Sequence, residues 1–454
     1  MMLNKFIRMM KSEGLSDIVI RSFSEYYKTL QEGNLGMIPE SQIRPPSGNS
    51  VIDYEELEQI GNNNILKKIV VIKLNGGLGT SMGLSKAKSL LPVKGNMNFL
   101  DIITRHILAL RSVSGYDVQL MFMNSFATNS DCLEYLQKYP DLAQQELPLS
   151  FLQNKFPRIK AEDLSPFDHK QKDARWNPPG HGDIYTAISS SGIMEKLIAK
   201  GYRYAFISNS DNLGATVDTA IAAYMEKYDI PFVMEVCERS EMDKKGGHLA
   251  EDENGQLLLR EIAQCPAEDL EAFQDISKYC YFNTNNLWID LKALEWHLIT
   301  NDSLMLLPLI VNPKTVDSVK VYQLETAMGS AISSFANAKA IVVPRSRFAP
   351  VKKTNDLVSI WSDIYELNDQ YQIRLKRGLE KVPYIELDPV YYGNIDQLMK
   401  RFEEVPSLCG CKELKIQGDV TFGADVICDG RVNIIAKNPT KISHRLITGD
   451  LYYE

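Results

Sequence analysis

No stretch of this sequence strings together the roughly 18 apolar residues that a bilayer-spanning helix needs. Near the start, Lys5, Arg8, Lys11, Glu13 and Asp17 interrupt any secretory core. A soluble, internal protein with no membrane partner is the expectation. Cysteine is scarce: seven, an odd number at irregular spacing, make no disulfide framework, and Cys409 with Cys411 is a poor metal signal. A reducing cytoplasm is the compartment this predicts. Excess positive charge is missing too, since 50 basic residues face 58 acidic ones for a net charge of −8. That balance argues against nucleic acid as a partner, and any phosphate ligand must be met by local positive groups. Histidine is rare, six in all, and no catalytic dyad stands out.

What is present is a chain of 454 residues, 44% hydrophobic and 24% charged, long enough for two or three structural units. Residues 1–32 carry helical spacing, with Phe6, Met9, Met10, Ile18, Ile20 and Leu30 among charges, until Gly33, Gly36, Pro39, Pro45 and Pro46 break it. From about 60 to 345, short apolar runs at 68–74, 117–123, 148–153, 202–208, 230–236, 256–260, 281–289 and 339–344 read as strands. Helical stretches at 99–112, 184–200 and 215–228 fall between them. This alternation predicts an α/β domain on a largely parallel sheet, with ligands off the carboxyl ends of its strands. The C-terminal part differs in kind. Leu414, Val420, Val426 and Val432 recur every six residues, as do Ile416, Phe422, Cys428 and Ile434, until the pattern lapses near Asn438. A hexapeptide period predicts a left-handed parallel β-helix, each turn stacking on the next, with an open end where copies could pair. An ordinary antiparallel meander is the competing reading.

The central feature is residues 68–94. An apolar run ending at Leu74 empties into a loop with glycines at Gly76, Gly77, Gly79 and Gly83. Without a Cβ, such a backbone can bring its N–H groups close to an anion. Neither common nucleotide template fits: Gly77, Gly79 and Gly83 are one residue too widely spaced for G-x-G-x-x-G, and no lysine follows Gly83 as a P-loop requires. Further on, Lys86 and Lys88 offer charge to a phosphate or simply a solvated turn. Gln153 has an amide that can pair with a base edge or face solvent. His181 precedes a helix that Asp183 could cap. Asp211, just past a strand and among small polar residues, suits Mg²⁺ or a plain turn.

Taken together and in order, these segments resemble the eukaryotic-type UDP-glucose pyrophosphorylase family. The resemblance rests on LNGGLGTSMG with Lys88-Ser89, the F-x-Q-x-x-x-P-R-I run from Phe151 to Ile159, and Pro178-Pro-Gly-His-Gly-Asp183. It extends through Asn209-Ser-Asp211, Lys245-Gly-Gly247 with Glu261, Tyr281 to Trp288, and Arg345 to Leu357, and spans roughly residues 60 to 435. It implies a Rossmann-like, glycosyltransferase-A-type nucleotidyltransferase domain at 61–375. A helical N-terminal segment and loop (1–60) would precede it, and a helix with a left-handed β-helix (376–454) would follow. It also implies an activity, the conversion of UTP and glucose 1-phosphate to UDP-glucose and pyrophosphate, with Mg²⁺ on Asp211 and Lys352 and Lys88 as catalytic residues. Substrate contacts are then expected from Leu74, Asn75, Gly76, Gly77, Met123, Gln153, Gly180, His181, Asn209, Ser210, Gly247, Glu261, Phe282, Asn283 and Asn285. The chain departs from the family at Lys86-Ala87, which stands where the family has Gly-Pro. A UDP-N-acetylhexosamine or broad UDP-sugar pyrophosphorylase, a nicotinamide-dependent oxidoreductase and a non-catalytic nucleotide-sugar sensor are the alternatives.

Overall fold

The computed structural model describes residues 2–57, 61–379 and 381–454. The β-branched run forms the strand Ile69–Asn75, buried along its whole length. Burial on both faces is what a continuous apolar run requires, and it places this strand in the sheet interior. It runs parallel to Tyr204–Asn209 on one side and to Gln119–Asn124 on the other, with Ser150–Leu152 beyond. Past Tyr204–Asn209 lies one antiparallel strand, Tyr281–Asp290, followed by Phe232–Glu238, Lys339–Val342 and Val51–Asp53. Along this row the sheet is mixed, parallel in its two halves and reversed at Tyr281–Asp290, against which the antiparallel pair His248–Glu251 and Leu257–Arg260 adds to one side.

Chain order changes direction between Ile69–Asn75 and Tyr204–Asn209. At such a switch point the loops leaving two neighbouring strands diverge and open a crevice. Here those loops are the glycine-rich segment and the segment containing Asp211.

Helix Phe99–Ser114 covers one face, started by a reciprocal cap in which Asn98 and Asp101 each bond the other's backbone N–H. The single helix expected over 184–200 is two, Ile184–Ser190 and Ile193–Ala199, because Gly192 adopts a left-handed conformation (φ 68°) after three serines. The N-terminal helices Met2–Ser12 and Asp17–Gln31 pack Phe6, Phe23 and Tyr27 onto Phe156, Trp176 and Leu324. Among the described residues no helix is long and apolar enough to cross a membrane.

The C-terminal strands Tyr384–Leu387, Ser407–Gln417, Val426–Ala436 and Arg445–Tyr453 form a parallel sheet, beside a second parallel pair, Val420–Phe422 with Thr440–Ile442. Here the expectation of six-residue turns needs correction. Leu414 pairs with Val432 and Ile416 with Ile434, so one full turn consumes three hexapeptides. Leu414, Val420, Val426 and Val432, one at each six-residue step, are all buried, so the period repeats within the offset between paired strands. Regular pairing also continues past Asn438, to Tyr453.

Beneath the central sheet sits a buried ion pair. Arg347 donates through Nε and Nη2 to the two oxygens of Glu235, at 2.8 and 2.6 Å. Trp288 Nε1 and Asn286 Nδ2 donate to the same carboxylate at 2.9 and 3.0 Å. Four donors on one anion satisfy it, but removing the cation leaves a buried charge with only neutral partners. Arg347→Met is thus expected to lower unfolding free energy by about 3–5 kcal/mol in urea titration; a loss below about 1 kcal/mol, the worth of a surface pair, would show that the pair is not a core element.

Candidate active site

Two loops leave the switch point, and three contacts join them. Beyond Asn75 the backbone turns at Gly76 and Gly77 and folds back on itself, with the Gly77 carbonyl accepting the Lys88 N–H at 3.1 Å and Leu78 bridging Ala87. This places Lys88, half buried, over the crevice, while Lys86 stays in solvent. The Lys88 ammonium meets the Asp211 carboxylate at 2.5 Å. Ser210 N–H bonds the Leu74 carbonyl at 3.0 Å, and Ser210 Oγ bonds Asn75 Oδ1 at 3.2 Å.

The Asp211 loop is itself held from below and above. At its base, fully buried Lys73 donates to Ser208 Oγ and to the Ala215 carbonyl, both at 2.7 Å, closing the two ends of the loop. Burial, reinforced by the nearby Arg347 charge, pulls the Lys73 pKa down to about 7. At its crown, Asn212 accepts the Ala349 N–H at 2.9 Å and donates to Asn286 Oδ1 and the Arg347 carbonyl at 3.1 Å. Val351 N–H then bonds the Asp211 carbonyl at 3.1 Å, so Lys352 emerges, exposed, directly after a residue tied to Asp211.

A second cluster lies beside the glycine turn. Gln153 Nε2 donates to the Gly180 carbonyl at 2.7 Å, and its Oε1 lies so near Gly76 that a Cβ there would sit 2.8 Å away. A side chain at 76 would have to displace the Gln153 amide. His181 follows, and its Nδ1 accepts the Met328 N–H at 3.0 Å. A ring nitrogen that accepts a backbone proton carries none, so the ring is neutral with its hydrogen on Nε2, free to donate. Burial agrees, lowering the His181 pKa to about 4. Asp183, also buried, is pushed up to about 7 by desolvation against two bonds from Asn154.

The third cluster is built on the strand Tyr281–Asp290. Its pairing with Phe232–Glu238 slips between Glu235 and Val236, leaving Thr284 and Asn285 unpaired, with Asn285 at φ 57°. Asn283 and Asn285 bond each other, and the Asn283 N–H reaches the Gly247 carbonyl at 3.1 Å. Gly247 lies against Glu261, whose carboxylate carbon would be 2.7 Å from any Cβ at that position. Burial raises the Glu261 pKa, and the field of Lys352 opposes it.

Not every expected side chain opens onto the crevice. Leu74 and Met123 are core residues facing each other in register, and Asn75 spends its amide on Asn124 and Ser210. The Phe282 ring is buried against Phe348, 4.9 Å away, under the Arg345 guanidinium. Asn209, at the end of its strand, is partly exposed, and its carbonyl accepts the Asn212 N–H. Conversely, Lys73 and Met328 shape the site without having drawn attention in the sequence, and Asn212, noticed there only as part of the polar run after the strand, crowns the Asp211 loop. A lysine inside an otherwise apolar strand was the one available signal for Lys73.

The His181 geometry sets a pH dependence. An unfolded imidazole binds its proton near 6.5 and the folded ring only near 4, so the unfolded state binds more protons as pH falls between those values. Stability from this group is complete above 6.5 and is lost toward 4. His181→Gln is expected to flatten that slope, and ¹⁵N NMR of labelled histidine to show an Nε2–H ring that stays neutral through pH 5. Titration near 6.5 would overturn the assignment.

The sequence profile of the family described as UTP–glucose-1-phosphate uridylyltransferase matches residues 20–429. The chain is 41% identical over 412 residues to the UTP–glucose-1-phosphate uridylyltransferase of Solanum tuberosum, an alignment spanning 88% of this chain and 85% of that one. To the enzyme of the same name from Hordeum vulgare it is 39% identical over 450 residues, 95% and 94% of the two chains. Among solved structures, a mutant UDP-glucose pyrophosphorylase from Leishmania major in complex with UDP-glucose matches with a TM-score of 0.93 at 41% identity, over 100% of this chain and 99% of that one. With sequence and fold in agreement, the chain belongs to the UTP–glucose-1-phosphate uridylyltransferase family.

Proposed function

We propose that this protein transfers the uridylyl group of UTP to glucose 1-phosphate, releasing pyrophosphate and forming UDP-glucose. The observation that carries the reading is the Lys88–Asp211 pair at 2.5 Å, spanning the switch-point crevice and tied through Val351 to Lys352. A phosphate oxygen of the sugar phosphate attacks the α-phosphorus; the new P–O bond forms as the α–β bridge breaks, and pyrophosphate leaves with the electron pair. The second pKa of a phosphate monoester is about 6, so the nucleophile is already ionised at neutral pH and no general base is required. Catalysis then rests on positioning and on charge. Lys352 meets the charge that develops on the α-phosphate; Lys88 and the Gly76 and Gly77 backbone meet the leaving pyrophosphate. Gln153 and Gly180 hold the uracil, neutral His181 donates from Nε2 to a phosphate, and Gly247, Glu261, Asn283 and Asn285 receive the sugar.

Among the described residues no group of three or more His, Cys, Asp or Glu is arranged to hold a metal. One partly exposed carboxylate, Asp211, completed by substrate phosphates and water, nevertheless fits Mg²⁺, which commonly takes few protein ligands. Bound there, Mg²⁺ would neutralise phosphate charge. The test is pyrophosphate release from UTP across glucose, galactose and N-acetylglucosamine 1-phosphates, with and without EDTA. Turnover mainly with glucose 1-phosphate, abolished by EDTA, is expected, and Lys352→Ala should cost about 10²–10³ in kcat. Preference for N-acetylglucosamine would overturn the sugar, and a loss below tenfold would remove Lys352.

We further propose that the C-terminal coil is a left-handed β-helix, forming with its preceding helix a unit over 376–454 distinct from the catalytic domain at 61–375 and the N-terminal segment at 1–60. Its last strand, Arg445–Tyr453, is an edge that exposes Leu446 and Tyr452, which supports pairing between copies. All seven cysteines are free thiols, in keeping with a cytoplasmic protein. Sedimentation equilibrium is expected to show an oligomer that Leu446→Lys with Tyr452→Lys reduces to monomer; an unchanged mass would place the contact elsewhere.

A further inference from the structure

The hairpin that carries the sugar pocket, His248–Glu251 with Leu257–Arg260, is held from outside by the segment before the first sheet strand. Ile38 N–H bonds the Gln264 carbonyl at 2.7 Å, just past the hairpin. Arg44 and Glu251 exchange both backbone hydrogen bonds, at 2.9 and 2.8 Å, adding one bridge to the hairpin edge. Ser47 then closes on the Glu251 carboxylate through its N–H and its hydroxyl, at 2.7 and 2.8 Å. Residues 38–47 thus form a strap across the back of the hairpin.

The centre of that strap is Glu40. Its carboxylate accepts from Arg260 Nη1 at 2.7 Å, from Lys278 Nζ at 2.6 Å and from Tyr279 OH at 2.8 Å. Arg260 has no solvent exposure, and its Nη2 goes to Asp269 Oδ2 at 3.0 Å, the same oxygen that accepts the Glu40 N–H at 2.7 Å. Arg260 immediately precedes Glu261 and pairs in register with His248, which immediately follows Gly247. The chain of contacts from Glu40 to the Gly247–Glu261 junction is therefore one residue long on either strand.

We propose that Glu40 is a positioning residue for the sugar-phosphate half of the site, setting through Arg260 the height at which Gly247 and Glu261 face the substrate. The proposal rests on the assignment of those two residues to the sugar. Asp269 supplies a second anion to Arg260, so a neutral residue at 40 leaves the buried guanidinium paired and the fold intact. What changes is the anchoring of the hairpin. The glycine loop, Gln153 and Lys88 lie on other elements and do not depend on it. The consequence is selective, reaching glucose 1-phosphate and sparing UTP.

The experiment is Glu40→Gln assayed with both substrates varied, beside amide hydrogen exchange of residues 248–260. KM for glucose 1-phosphate is expected to rise roughly three- to thirtyfold, the range of a positional coupling carried through one intermediary. KM for UTP and kcat should stay within about twofold, as expected when only one substrate's binding is affected. The hairpin amides should exchange faster, and Glu40→Asp, which keeps the anion, should recover part of the loss. A merely structural role would move both KM values together, or lower kcat alone through loss of folded protein, with hairpin exchange unchanged; either result overturns the proposal. A wild-type chain that fails to turn over UTP and glucose 1-phosphate would overturn the functional reading instead, while the exchange measurement still tests the strap.

Discussion

A guanidinium cannot lie under the middle of a β-sheet unless an anion is held there to meet it. That requirement binds Arg347 to Glu235, and through them four separate parts of the chain. Glu235 belongs to a sheet strand whose antiparallel neighbour supplies Trp288 and Asn286 to the same carboxylate. Arg347 belongs to the segment that leads to Lys352, and its backbone carbonyl is bonded by Asn212 from the loop holding Asp211. The pair therefore does more than satisfy two charges. It fixes the height of the Arg345–Lys352 segment against the sheet, and that height is what lets Val351 bond Asp211.

Above this foundation the site is an arrangement of charge rather than of proton-transfer groups. The one histidine at its centre is held neutral by burial and by a backbone proton on Nδ1. Lysine, by contrast, is used at three depths. Lys352 is exposed, Lys88 is half buried against Asp211, and Lys73 is wholly buried, bonding both ends of the Asp211 loop. An ammonium is a compact point charge with three rotatable donors, which suits it both to phosphate and to clamping backbone. A reaction whose nucleophile arrives ionised asks for this and little more.

The sheet strands from Ile69 onward and the glycine loop were legible because each has a local cause. A strand buried on both faces is apolar over most of its length, and a close approach such as Gly76 to Gln153 favours a residue without a Cβ. Where the reading slipped, the reason was equally physical. The C-terminal strands Ser407–Gln417 and Val426–Ala436 pair Leu414 with Val432, three hexapeptides on, so a six-residue repeat does not count stacked strands. The helix over 184–200 divides because one left-handed glycine ends it, a conformation that composition does not reveal. Phe282 lies in a motif dense with polar residues, yet strand alternation turns its ring into the core beside Phe348.

By itself the sequence determined the apolar strands and the short polar motifs that follow them, because each answers to a local cause, and it set Lys88, His181, Asp211 and Lys352 within those motifs. Only the tertiary structure decided how they meet and what supports them. Lys88 and Asp211 are 123 residues apart, Asp211 and Val351 further still, and their contacts follow from strand order in the sheet, which no local pattern encodes. The supporting roles of Lys73, Asn212, Arg347 and Glu40 were hidden for the same reason. A buried charge or amide is recognisable only through its partner, and the partner is chosen by the fold.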